Sequence, residues 1–198
     1  MTIRKRIPEK LPLLVFLAFF IIAAGNAWAQ AGVPAAKLPV IQTAPGYAPE
    51  IEILKIIARK INLPITSTVD ATEKDLEKGG KKAFETLILV IGASGKGLGA
   101  AGLSIDDEVE RAKALLAKAK KLGIFIIGIH VGGADRRGPN TEAMLPVELP
   151  FLNYLIVRAD GNQDGVFTKA AKEYKYPISV VENTMDLQGL LKKVFNLP

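Results

Sequence analysis

From about residue 38 to its end, the chain alternates apolar runs with segments whose apolar residues recur at helical spacing. Three of the runs, ETLILVIG (85–92), GIFIIGIH (123–130) and NYLIVRA (153–159), are rich in β-branched residues and almost unbroken by polar ones. A strand covered on one face alternates apolar and polar positions; a strand covered on both does not. These runs therefore predict parallel strands buried between helices. LPVIQT (38–43) and YPISVV (176–181) read as further strands, and PITSTV (64–69) as a weaker one.

The segments between them carry helix signatures. Pro49 to Asn62 places Ile53, Leu54, Ile57 and Ile61 on one face. Ser104 followed by Asp107 is a capping box that opens a helix over Ile105 to Leu122, with Val109, Ala112, Leu116 and Ala119 as its inward stripe and Gly123 as its stop. Val166 to Tyr174 and Asp186 to Phe195 are two more helices, the second turning Leu187, Leu190, Leu191 and Val194 inward. Strand and helix in rotation predict an α/β fold: one doubly wound, Rossmann-like, mostly parallel sheet of five or six strands with helices on both faces.

Upstream of residue 38 the pattern changes. A cationic start, MTIRKRIPEK, leads into LPLLVFLAFFIIAA and then to small residues at Ala27 and Ala29. That order predicts a signal peptide over 1–29, a short linker over 30–37 and a single domain over 38–198. Retention of the segment as an N-terminal anchor is the alternative; either way the domain is expected outside the cytoplasm, periplasmic or secreted. Removing residues 1–29 takes the formal net charge from +6 to +3, because Arg4, Lys5, Arg6 and Lys10 leave with Glu9. So mild a charge, with lysines scattered among carboxylates, argues against a nucleic-acid partner, and no membrane contact is expected once the signal is gone. With no cysteine, the exported chain has no disulfide, no thiolate metal site and no lipoprotein anchor.

Candidate chemistry follows from the predicted sheet. Open parallel sheets bind ligands outside the carboxyl ends of their strands, near the switch in strand order. The segments leaving strands are QTAPGYAPE, ASGKGLGAAGL, VGGADRRGPN and DGNQDG, whereas those entering strands, such as KKLG and NLP, are plain. Ser94, Gly95, Lys96, Gly97, Gly99, His130, Arg136, Arg137, Asp160, Asn162 and Asp164 are therefore expected to share one rim. Glycine amides at Gly95 to Gly99, with Lys96 and one of Arg136 and Arg137, could hold a small anionic or polar molecule. His130, ending a buried strand, is either part of that site or a core-edge imidazole bonded to backbone. Nucleotide binding fits poorly: GxGxxG over Gly97, Gly99 and Gly102 is a weak signal, and Asp106 and Asp107 would repel phosphate at the next helix. DGNQDG matches the first half of a calcium loop, making Asp160, Asn162 and Asp164 weak metal candidates, but Ala171 stands where the bidentate glutamate belongs. A hydrolase or lyase using Ser94, Lys96 or His130 is the enzymatic alternative, although Lys96 replaces the glycine of a nucleophile elbow. An envelope structural or partner-binding protein is a third.

The motifs GASGKGLGAAG, HVGGADRRG and GNQDGVFTKAAKE, in that order, resemble an uncharacterised family of exported bacterial α/β proteins, a domain of unknown function. The resemblance covers nearly all of Leu38 to Phe195; it implies an export signal and a compact α/β fold, and carries over no catalytic residue.

Overall fold

The computed structural model describes residues 32–198. The signal-peptide reading lies outside the described residues. No described helix is long and apolar enough to cross a membrane.

Six parallel strands form one sheet in the order β2-β1-β5-β6-β7-β8. They are β1 (Val40–Thr43), β2 (Ile65–Ser67), β5 (Thr86–Val90), β6 (Phe125–His130), β7 (Tyr154–Arg158) and β8 (Ile178–Val181). Two-residue strands β3 (Glu77–Lys78) and β4 (Lys81–Lys82) make a separate hairpin through Gly79 and Gly80, both at positive φ as such a tight turn requires.

The helices are α1 (Glu50–Lys60), α2 (Gly95–Ala101), α3 (Ile105–Lys121), α4 (Pro139–Glu148), α5 (Val166–Tyr174) and α6 (Leu187–Val194). Successive side chains on a strand point to opposite faces, so each strand feeds two cores. Ile41, Leu87, Leu89, Ile126, Leu155 and Val157 pack with α3, α4 and α5 through Leu116, Met144 and Phe167. Val40, Ile88, Val90, Ile127, Ile129 and Ile156 pack with α1 and α6 through Leu54, Ile57, Leu187 and Leu191. The two-sided burial predicted by the unbroken apolar runs is thus present.

Two helix stripes are rotated slightly from expectation. On α1 the buried positions are Glu50, Ile51, Leu54, Ile57 and Ala58, Ile61 is buried just past its end as expected, and Ile53 is exposed. On α3 Leu115 joins Ala112, Leu116 and Ala119 in the core, while Val109 lies at its edge. The capping box is formed: Ser104 Oγ accepts from the Asp107 amide, and Asp107 Oδ2 accepts from the Ser104 amide at 2.8 Å.

Candidate functional site

The strand order reverses between β1 and β5, where an open parallel sheet is expected to leave a crevice. Here the crevice is closed. The turn after β1 reaches across it: Tyr47 bridges to Ala93, and the Ser94 amide donates to the Gly46 carbonyl at 2.8 Å. The same turn is tied from below by Glu108 of α3, whose buried carboxylate accepts from the Gly46 amide at 2.8 Å. Arg111 pairs with Glu108 and donates to the carbonyls of Val69 and Ala71, so one buried ion pair fastens the loops after β1 and β2 to α3.

The glycine-rich segment after β5 also differs from expectation. Gly95 to Ala101 is a short helix of its own, α2, with Ser94 as its cap. Ser94 Oγ accepts from the Gly97 amide at 3.1 Å, and its carbonyl accepts from the Leu98 amide at 2.9 Å. Of the amides from Gly95 to Gly99 expected to converge on an anion, those of Gly97 and Leu98 serve the helix. Gly97 is small for packing, since a Cβ there would stand 2.9 Å from the Tyr47 carbonyl oxygen. Gly102 closes α2 in the left-handed conformation. Gly95, Lys96 and Gly99 are exposed on α2.

The histidine and aspartate turns do come together, and the serine turn adjoins them. Thr141 Oγ1 accepts from the Ala93 amide at 2.9 Å and donates to the Arg136 carbonyl at 2.7 Å, joining the β5 and β6 turns. The Ala134 amide donates to Asp160 Oδ2 at 3.3 Å, joining the β6 and β7 turns. All three lie at the carboxyl edge of the sheet.

His130 is fully buried. Its Nδ1 lies 3.0 Å from the Ile91 carbonyl, and its ring lies against Phe167, tilted by 32° with the centroids 4.8 Å apart. A carbonyl only accepts, so Nδ1 carries the proton and Nε2 is a bare lone pair. Nε2 has no hydrogen-bond partner; it faces Gly161, where a Cβ would stand 2.7 Å away. Burial pushes the imidazole pKa down, against the Ile91 and Gly133 carbonyls, which favour the charged ring.

The adjacent arginines diverge. Arg136 Nε donates at 2.9 Å to Glu50, whose side chain is buried at the start of α1. Arg137 turns the other way, stacks 5.3 Å over Phe167 and donates to Glu142, Asp164 and the Gly161 carbonyl. The Asp164 and Glu142 carboxylates raise the Arg137 pKa further.

Both aspartates are likewise engaged. Asp160 takes two bonds at 2.6 Å from Arg158, which holds its pKa down to about 2. Asp164 is held down to about 2, first by Arg137 and then by the Val166 amide. Asn162 Oδ1 accepts from the amides of Phe167 and Thr168, capping α5. Each side chain of the expected calcium loop, Asp160, Asn162 and Asp164, serves an arginine or a helix start, and no group of three or more His, Cys, Asp or Glu placed to hold a metal occurs among the described residues.

These contacts leave a cleft of about 270 Å³ walled by Arg137, Glu142, Asp160 and Asp164, with Ala134, Gly161 and Gln163 between them. Of the predicted residues, Arg137, Asp160 and Asp164 line it and His130 lies behind it. Ser94, Gly95, Lys96, Gly97, Gly99, Arg136 and Asn162 do not line it. Glu142, Arg158 and Gly161 were missed. Arg158, a charge ending a buried apolar run, is the one legible in the pattern. Two larger hollows of about 350 and 360 Å³ lie at the opposite edge, one beside Leu38, Pro39 and Ile65, the other beside Lys120, Phe125 and Phe151. Neither gathers several charged side chains.

Residues 37–195 match the family described as Domain of unknown function (DUF6305). The chain belongs to this family. The DUF6305 match spans all six sheet strands and every turn of the rim. No curated protein matches the sequence. Among solved structures, a serine-to-alanine mutant of the esterase AlinE4 is 13% identical with a TM-score of 0.33, covering 75% of this chain and 77% of that one. AlinE4 itself, an SGNH-hydrolase family esterase, is 15% identical with a TM-score of 0.32 over the same shares. The psychrotrophic esterase EstA from Pseudoalteromonas sp. is 12% identical with a TM-score of 0.32, over 78% of this chain and 92% of that one. At such values no activity transfers. In the DUF6305 chain Ser94 Oγ caps α2 and His130 bonds Ile91; the two do not bond each other.

Proposed function

We propose that this chain is an exported binding domain that holds a small polar molecule in the rim cleft between the carboxyl ends of β6 and β7. One observation carries the reading: the cleft gathers Arg137, Glu142, Asp160 and Asp164 at the edge where parallel sheets bind ligands. Its walls are preorganised, since the Arg158–Asp160 and Arg137–Asp164 pairs fix the side chains before anything arrives. Export rests on the cationic, apolar, small-residue order of the first 29 residues.

The test is thermal unfolding of the purified protein against a panel of organic acids, amines, sugars, phosphates and calcium. A ligand present at about 100 times its Kd adds about 2.7 kcal/mol and raises Tm visibly. At least one class of the panel is expected to do so. A flat response to all of it contradicts the binding reading.

A further inference from the structure

We infer that the amino edge of the sheet, opposite the rim cleft, is a docking surface for an anionic lipid bilayer. So small a net charge on the domain points away from a membrane partner, but a net charge conceals its distribution. In a parallel sheet each helix runs back against the strands and ends where the next strand begins. Arg59 and Lys60 close α1, Lys120 and Lys121 close α3, Lys193 closes α6 and Lys175 follows α5; all six are exposed at the amino edge. The opposite ends are acidic, with Glu50 and Glu52 opening α1 and Asp106, Asp107 and Glu108 opening α3. The domain is therefore polarised along its strands. Carboxylates dilute the basic edge little: Glu77 pairs with Lys118 and Glu85 with Lys82, while Glu173 stands open.

The helix dipole favours basic residues at helix ends, and lysines alone would make an ordinary solvated face. Apolar groups set this edge apart. Leu38 is 46% exposed just before β1, Tyr174 41% at the end of α5, and Val33 39% just ahead of the linker. The hollows of about 350 and 360 Å³ open here too, one beside Leu38, Pro39 and Ile65, the other beside Phe125, Phe151, Tyr174 and Lys120. Lysines around exposed aliphatic and aromatic groups suit the bilayer interface, where apolar groups enter the headgroup layer and ammonium groups meet lipid phosphates. A soluble polyanion would engage the lysines and leave Leu38 and Tyr174 in water.

The chain also enters the domain at this edge. The Ala36 amide donates to the Val194 carbonyl at 2.8 Å, and Lys37 exchanges two hydrogen bonds with Thr86 at the start of β5. Whatever precedes residue 33 is joined here, and in the sequence that includes the apolar run LPLLVFLAFFIIAA. Kept as an anchor, that run would tether the domain by its basic edge and leave the rim cleft at the far end.

The test is lysine acetylation of the full chain, read residue by residue by mass spectrometry, with vesicles of phosphatidylcholine alone or mixed with phosphatidylglycerol. At low salt the mixed vesicles are expected to slow labelling of Lys120, Lys175 and Lys193 at least about threefold, and about 1 M salt should restore it. Lys96 on α2 and Lys113 on the exposed face of α3 should label equally throughout. Lys120→Glu combined with Lys121→Glu should return Lys175 and Lys193 toward their vesicle-free rates, since each lysine near an anionic surface contributes about fivefold in affinity. The salt comparison on the unaltered chain stands whether or not that variant folds. Unchanged labelling in mixed vesicles overturns the inference. So does equal protection by phosphatidylcholine alone, which an apolar tether explains without the lysines. Protection that grows with protein concentration in the absence of vesicles overturns it in favour of head-to-tail contact between the basic edge and the acidic edge of a second copy. None of these outcomes bears on what the rim cleft binds.

Discussion

Glu148 is fully buried on α4, and neither of its carboxylate oxygens has a hydrogen-bond partner. Burial raises its pKa from 4.5 to about 8, opposed by Arg111 and reinforced by Glu108. Below about pH 4.5 the carboxyl holds its proton folded or unfolded and adds no pH dependence. From there to about pH 8 only the unfolded chain releases the proton, so stability falls as pH rises and then levels off. Replacing Glu148 by Met, similar in length and without ionisable atoms, should flatten that slope: Tm should rise by several degrees at pH 7.5 and change little at pH 4.5, read by circular dichroism. A variant whose Tm differs from the parent equally at both values would contradict the account. Gly161 makes the second prediction at this scale. A methyl group there meets His130 at 2.7 Å, so Gly161→Ala should destabilise by about 1–3 kcal/mol and disturb the cleft floor, lowering Tm in the same assay. Neither residue was legible in the sequence, because a glutamate or a glycine announces its neighbours only once the chain has folded. The arginine pair was half legible: adjacent residues were expected to diverge, and Arg136 does turn to Glu50 while Arg137 turns to the cleft.

Elements whose signals were apolar and local were read closely. The helix over Val166–Tyr174 matches its predicted bounds, and α3 ends within a residue of expectation. Ser104→Ala should remove the α3 cap and cost about 1 kcal/mol, seen as a lower midpoint in urea unfolding with an unchanged slope. Helices α2 and α4 were not predicted. On α4 the buried positions are Thr141, Met144, Leu145 and Glu148, so polar residues occupy two points of what would otherwise be an apolar stripe, and Pro146 sits inside the helix. Thr141 is there to bond Ala93 and Arg136, which is why the pattern failed at a place that builds the rim. Four glycines hid α2, whose existence depends on the Ser94 cap and on its fit against Tyr47.

At the scale of the whole molecule, the parallel sheet was legible because burial on both faces leaves its mark in composition. Its direction alone places the serine, histidine and aspartate turns at one edge. What the sequence could not show is how these turns neutralise one another: pairings such as Arg136 with Glu50, 86 residues apart, or Arg137 with Asp164, 27 apart, are properties of the fold. Those pairings move the open site away from the closed β1–β5 switch, to the ends of β6 and β7. The most direct measurement is an amide-shift titration of the ¹⁵N-labelled protein with the compound of the panel that raises Tm most. The account predicts saturable shifts confined to Ala134–Arg137, Glu142 and Asp160–Asp164. Shifts centred instead on Phe125 and Phe151 at the opposite edge, or no saturable shifts at all, would contradict it.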